Sequence, residues 1–312
     1  MRVAVTGGNG FVGRELINIS RSFDIEVVPL VRCTKGLDNE IVIGNLQDAN
    51  ISDLSHRLSD IQSVIHLAAR THVMKDAGGA SEKYAATNVK GTDIIAKAAI
   101  AAGVGKFVFA SSIKVNGEQT VNGHFFSGRD TPAPEDDYGR TKLQAENLLS
   151  RLTAQADMDL VILRPPLVYG AHVSGNFGRL VAAVRRGIPL PFGKVDNRRS
   201  LISVRNFAEA ILSSLRRPKI EDTVLTLADG KDVSTRALVQ AIGQAVGQRA
   251  RLIPLPISAI RGVGELLGKR EEVRRLTSDL RVETDRAVQQ LDWKPSEQLH
   301  EALERMFRES RP

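Results

Sequence analysis

The chain has 312 residues, 42% hydrophobic and 25% charged, an ordinary globular composition with length for one large domain or two modest ones. A lone cysteine, Cys33, excludes an internal disulfide, and no apolar run approaches the roughly 20 residues that span a bilayer, so a cytoplasmic protein with no membrane partner is expected. The formal charge of +7 raises nucleic acid as a partner, but the basic residues are scattered pairs such as Arg185-Arg186 and aromatics are only 4%; the excess suits small anionic ligands, and no nucleic acid partner is expected.

Taken in order, the apolar run Val3-Ala4-Val5 predicts a first strand over 2–5, with no room before it for a leader peptide. Residues Thr6 to Gly13 read T-G-G-N-G-F-V-G and run into a helix-like stretch at 14–20. A strand, a glycine-rich turn and a helix together present backbone N–H groups and a positive helix end to a pyrophosphate. Gly7 and Gly10 let the chain turn tightly against phosphates, and Gly13 lets the helix pack on the strand. Gly7, Gly10, Phe11, Val12 and Gly13 are therefore candidate cofactor contacts.

Further strands are expected at 26–30, 40–43, 63–67, 106–110 and 160–163, separated by helices at 51–58, 81–102 and 138–155. Strands alternating with helices predict right-handed βαβ units: an α/β, Rossmann-type, doubly wound parallel sheet covered on both faces. Beyond Arg164 the prolines multiply and the elements shorten. The expected division is a dinucleotide-binding domain over 1–165, with returning segments near 200–227, and a smaller C-terminal α/β substrate-binding lobe over 166–312. The ligand cleft then lies outside the carboxyl ends of the strands.

The second strand ends V-V-P-L-V-R-C-T-K. A site built for NAD places a carboxylate there to hold both ribose hydroxyls, but Val31 and Arg32 occupy the position, with Lys35 close behind. A guanidinium suits a 2′-phosphate, so charge favours NADP(H) over NAD(H). The alternative is that Arg32 stacks on adenine in a pocket open to either cofactor.

Tyr138 and Lys142, four apart at the start of a helix, share one face. An ammonium beside a phenol stabilises the phenolate and draws its pKa down towards neutrality, which makes a usable acid-base group. Ser111-Ser112 ends a strand at the ligand edge, where Ser112 either orients a reacting oxygen or caps a turn.

These parts resemble the extended short-chain dehydrogenase/reductase superfamily, in its nucleotide-sugar epimerase/dehydratase/reductase branch. The resemblance adds H-L-A-A (66–69), N-V-K-G-T (88–92), S-S-I-K-V-N-G (111–117), Y-G-R-T-K, L-R-P-P-L-V-Y-G (163–170) and the closing R-A-V-Q-Q-L-D-W-K-P (286–295). It implies Tyr138 as general acid/base, Lys142 as the group that tunes it and binds the nicotinamide ribose, and Ser112 as the residue that orients the reacting oxygen. It places Asn45, Leu46, Leu67, Ala68, Ala69, Asn88 and Pro165 around the cofactor. It assigns Asn176, Arg199, Arg275 and Asp279 to a UDP-sugar, with Lys114 and Arg70 meeting the substrate or serving as solvated charges. No metal is expected, and His72 and His124 carry no motif.

Asn45 stands where relatives place an acid near adenine, Leu167 where an Asn touches the sugar nucleotide, and Asn116 where a Tyr is frequent. Residues 70–74 and 111–117 look most like a UDP-glucose 4-epimerase-like sub-branch. That sub-branch includes reductases of UDP-4-keto-6-deoxy-N-acetylhexosamines that form UDP-N-acetylquinovosamine for surface polysaccharide, O-antigen among them. A 4-epimerase with tightly bound NAD is the alternative, and a non-catalytic dinucleotide-binding scaffold is a third. The helices at 81–102 and 138–155 carry alanine- and leucine-rich faces beyond what one sheet contact needs, and the resemblance implies that they pair into a four-helix interface, so a homodimer is expected.

Overall fold

A computed structural model describes residues 1–71 and 80–309. Seven parallel strands form the main sheet: β1 (Arg2–Thr6), β2 (Glu26–Val31), β3 (Ile41–Val42), β4 (Ser63–His66), β5 (Lys106–Ala110), β6 (Asp159–Arg164) and β9 (Val224–Thr226). Their order is β3-β2-β1-β4-β5-β6-β9. The first three strands step one way and the others step the opposite way. The order therefore reverses between β1 and β4, and the turns leaving these two strands diverge to open a crevice.

Strand residues alternate between two apolar layers, as a pleat requires. On one face Val3, Val5, Ile65, Val108 and Val161 pack against α1 (Phe11–Ser20) and, further along the chain, α7 (Val204–Arg216). On the other, Ala4, Val28, Val64, Phe107, Phe109 and Ile162 pack with residues of α2 (Ile51–Arg57), α4 (Gly91–Ala101) and α5 (Asp137–Thr153). Trp293, in the closing motif, is buried in the first layer, beside α11 (Asp285–Leu291).

Three expectations change. The helix expected at 81–102 is broken into α3 (Ala80–Ala85), a π turn (Ala86–Lys90) and α4. Asn88 sits inside that turn, and its amide reaches Arg70 and Thr141. Second, 200–204 does not return to the main sheet: β8 (Leu201–Ser203) pairs with β7 (Leu167–Tyr169) in a separate parallel ribbon, and only β9 rejoins, beside β6. Third, Ile94, Ile95, Ala96, Ala98 and Ala99 of α4 are already buried within the chain, so that face gives no argument for a homodimer.

The remaining helices are α6 (Gly175–Arg185), α8 (Thr235–Ala245), α9 (Ile257–Leu266), α10 (Arg270–Thr277) and α12 (Leu299–Glu309). They enclose their own apolar cluster around Tyr169, Phe177, Val239 and Leu303.

Candidate active site

The turns that follow β1, β4, β5 and β6 lie along one edge of the sheet, and four sequence motifs occupy them. Gly7, after β1, has φ +72, and a Cβ there would stand 2.9 Å from the Ala68 amide nitrogen in the turn after β4. A Cβ on Gly13 would come within 2.4 Å of the Gly7 carbonyl, so α1 approaches the turn only because that position is bare. The α1 N-cap, Gly10, offers no side-chain acceptor, and the first turn carries no acid. Uncapped amides beside close-set backbone fit a pyrophosphate. Phe11 and Val12, half-buried, open this helix, and Leu67, Ala68 and Ala69 form the facing wall.

Arg32 is exposed just beyond β2 and makes no ion pair among the described residues. The nearby acid, Glu40, accepts the backbone amides of Lys35, Gly36 and Leu37, which closes that loop. Asn45 is exposed and donates to Asp48, whereas the Leu46 side chain is buried in the core against Gly91.

Ser112 follows β5 and Tyr138 and Lys142 lie in the first turns of α5, which packs at Gly139 against the Lys114 carbonyl of the turn after β5. Ser112 caps a 3-10 turn (Ile113–Val115), its Oγ accepting the Lys114 amide at 3.3 Å while its proton stays available to donate. Buried Pro165, after β6, accepts the Ile113 amide at 2.9 Å, which ties the β5 and β6 turns together. Asp136 caps α5 by accepting the Gly139 amide at 2.8 Å, so Tyr138 falls in the first turn. The Tyr138 hydroxyl has no hydrogen-bond partner among the described residues, and its ring lies 6.3 Å from that of Tyr84.

The expected lowering of the phenol pKa is corrected. Burial, then Asp136 and Tyr84, push the Tyr138 phenol up, and the Lys142 amine makes contacts of its own nearby. Its Nζ donates to the Ala110 carbonyl at 2.8 Å, sits 4.5 Å above the Phe109 ring, and is 5.9 Å from the Tyr138 ring centre. Burial pushes the Lys142 ammonium down to about 7, against the opposing charge of Glu146. Asn88, which the resemblance counts among the cofactor residues as one that helps hold the active-site strand geometry, has both ends of its amide engaged by Arg70 and Thr141 and ties the turn after β4 to α5.

Beyond this group the charged candidates converge on a residue that the sequence reading passed over. Glu118, buried, accepts a two-pronged contact from Arg275 at 3.0 and 3.1 Å and pairs with Lys114 at 2.8 Å. Lys114 also pairs with Asp136. Arg199 donates to the Ser278 carbonyl at 3.1 Å, and burial pushes its guanidinium down to about 10, partly offset by Glu118. Asp279 accepts the Arg198 amide at 2.8 Å. Asn176 is not part of this group: it is exposed near the start of α6, with its amide oxygen taken by Arg179. His124 is exposed and pairs with Asp130, and His72 lies outside the described residues. The opposite charges of Lys114 and Glu118, four apart, were the signal available in the sequence.

Residues 3–225 match the NAD dependent epimerase/dehydratase family. The chain is 39% identical over 305 residues to a UDP-glucose 4-epimerase of Vibrio cholerae, covering 96% of this chain and 93% of that one. It is 23% identical to a dTDP-4-dehydro-6-deoxyglucose reductase of Escherichia coli, over 99% and 97% of the two chains. Its fold superposes on MoeE5 in complex with UDP-glucuronic acid and NAD with TM-score 0.79 and 26% identity, covering all of both chains.

Proposed function

Because the chain belongs to the NAD dependent epimerase/dehydratase family, we propose that it reduces the 4-keto group of a UDP-sugar, with Tyr138 as the proton donor. What supports this reading is that Ser112 follows β5 and that Tyr138 and Lys142 open α5, at the sheet edge that also carries the glycine turn after β1. A bound nicotinamide cofactor, NADP(H) before NAD(H), supplies the hydride at C4. Ser112, whose proton is free, donates to the C4 oxygen and holds it; Tyr138 protonates that oxygen; Lys142 compensates the phenolate left behind. Arg199, Arg275 and Lys114 would hold the anionic part of the substrate, and Arg32 would hold a 2′-phosphate. The substrate fitting this reading is a UDP-4-keto-6-deoxy-N-acetylhexosamine, giving UDP-N-acetylquinovosamine for surface polysaccharide. A cytoplasmic homodimer is proposed on the family resemblance, and a particle mass near 34 kDa in light scattering would exclude the dimer.

The second reading is 4-epimerisation, favoured by the 39% identical relative. It uses the same side chains with no net consumption of reductant. Purified protein incubated with the 4-keto sugar nucleotide should consume NADPH. Interconversion of UDP-GlcNAc and UDP-GalNAc without consumption, by protein that retains its cofactor through purification, would replace the first reading with the second.

A further inference from the structure

Beneath the site lies an ion pair that packing alone does not require. Glu146 on α5 and Arg164 at the end of β6 meet with 5% and 3% of their side chains exposed. Removing two charges from water costs several kcal/mol per ion, and apolar side chains of the same volume would fill the space as well or better. The carboxylate is nevertheless held on several sides. It accepts Arg164 Nε at 2.9 Å, a second Arg164 contact through Nη2, and the Ser111 hydroxyl. Arg164 Nη1 in turn donates to Asn116 Oδ1 at 3.0 Å, and Asn116 Nδ2 donates to the Ser127 carbonyl at 2.8 Å.

What this fixed carboxylate acts on follows from the helix. Glu146 is four residues after Lys142, one turn along the same face, and both are buried. Among the described residues, the other groups facing Lys142 carry no charge that could hold its proton. Tyr138 is a neutral phenol on the same helix; β5 contributes the Phe109 ring and the Ala110 carbonyl. From β4 comes His66, stacked on Phe109 at 5.7 Å. Its state is set by its partners. Thr92 Oγ1 donates to the Asn88 carbonyl at 2.7 Å, so it accepts from His66 Nε2 at 2.9 Å; Nδ1 then accepts the Thr6 hydroxyl at 2.6 Å. Burial, and then Lys142, push the imidazole down to about 3, so His66 is neutral. Glu146 is left as the anion.

We propose that Glu146, clamped by Arg164 and Ser111, is a positioning residue that keeps Lys142 in its ammonium form up to neutral pH. The proposal rests on the reading that Lys142 must be charged to serve Tyr138, but its primary test needs neither substrate nor cofactor. In protein labelled with 13C at lysine Cε, the Lys142 resonance reports protonation directly. Glu146→Gln should move its midpoint down by about one to three pH units, and Arg164→Gln, which leaves the carboxylate uncompensated, should move it up. Midpoints unchanged in both variants, or both displaced in one direction, would overturn the proposal. So would Lys142 found neutral at pH 6 in the wild-type protein, which decides the matter should either variant fail to fold. The alkaline limb of turnover should follow the Glu146→Gln shift. Shifted midpoints with an unmoved limb would leave the Glu146 assignment standing and remove Lys142 from the proposed reaction.

Discussion

The two ends of the candidate site are built from opposite materials. The glycine turn offers backbone amides and empty space: Gly7 and Gly13 have no side chains, and the start of α1 has neither cap nor acid. The far end, around Glu118, is crowded with charges that pair with one another before any ligand is considered. Backbone amides are fixed and do not titrate, so the first end should respond to sterics and scarcely to salt or pH. Paired side chains can be exchanged for ligand phosphates, so the second end should respond to charge. Between the two lies the Tyr138 group, where proton transfer is expected.

Four perturbations would break or sharpen that contrast. The largest effect belongs to the middle: Tyr138→Phe should lower turnover by roughly 10²–10⁴-fold, the span of general acid catalysis, with dinucleotide affinity retained in a fluorescence titration. Next is Gly7→Ala, which forces a side chain to φ +72 and within 2.9 Å of Ala68. It should weaken dinucleotide binding about tenfold or more and leave free UDP binding unchanged. At the other end, Glu118→Gln removes one of the two anions that Lys114 and Arg275 share, leaving Asp136. UDP should then bind several-fold more tightly in calorimetry, with a steeper salt dependence and no change for the dinucleotide.

The smallest effect concerns the scaffold beneath the first end. The His66 imidazole is held down at about 3 in the folded chain and returns to its ordinary range on unfolding. The unfolded chain therefore binds the extra proton. Stability from this group is complete above the ordinary imidazole range and declines as pH falls from about 6.5 towards 3, at up to about 1.4 kcal/mol per pH unit. Denaturant midpoints at pH 7 and pH 4.5 should differ less for His66→Gln than for wild type.

The same contrast explains what could be read from the chain alone. The glycine turn is local: eight consecutive residues between an apolar strand and a helix carry its whole meaning. Tyr138 and Lys142 were legible for the same reason, being one helical turn apart. The parallel sheet was legible because its inner strands carry unbroken apolar runs such as Phe107-Val108-Phe109. Glu118 offered only its charge four positions after Lys114, because its other partner Arg275 is 157 positions away. Glu146 and Arg164 look like ordinary surface charges until β6 is set beside α5. The π turn at Ala86–Lys90 depends on an Asn88 side chain reaching back to Arg70, which helix periodicity does not reveal. The bond from the Lys142 amine to the Ala110 carbonyl was not legible, because that carbonyl comes from another element.

The most direct trial of the account is isotopic. The 4-keto sugar nucleotide is incubated with NADPH deuterated at the transferring position, and the product is read by NMR. One deuterium at C4 of the sugar, lost when Tyr138→Phe replaces the wild-type protein, is the expected result. A label at any other carbon, or undiminished transfer by Tyr138→Phe, would contradict it.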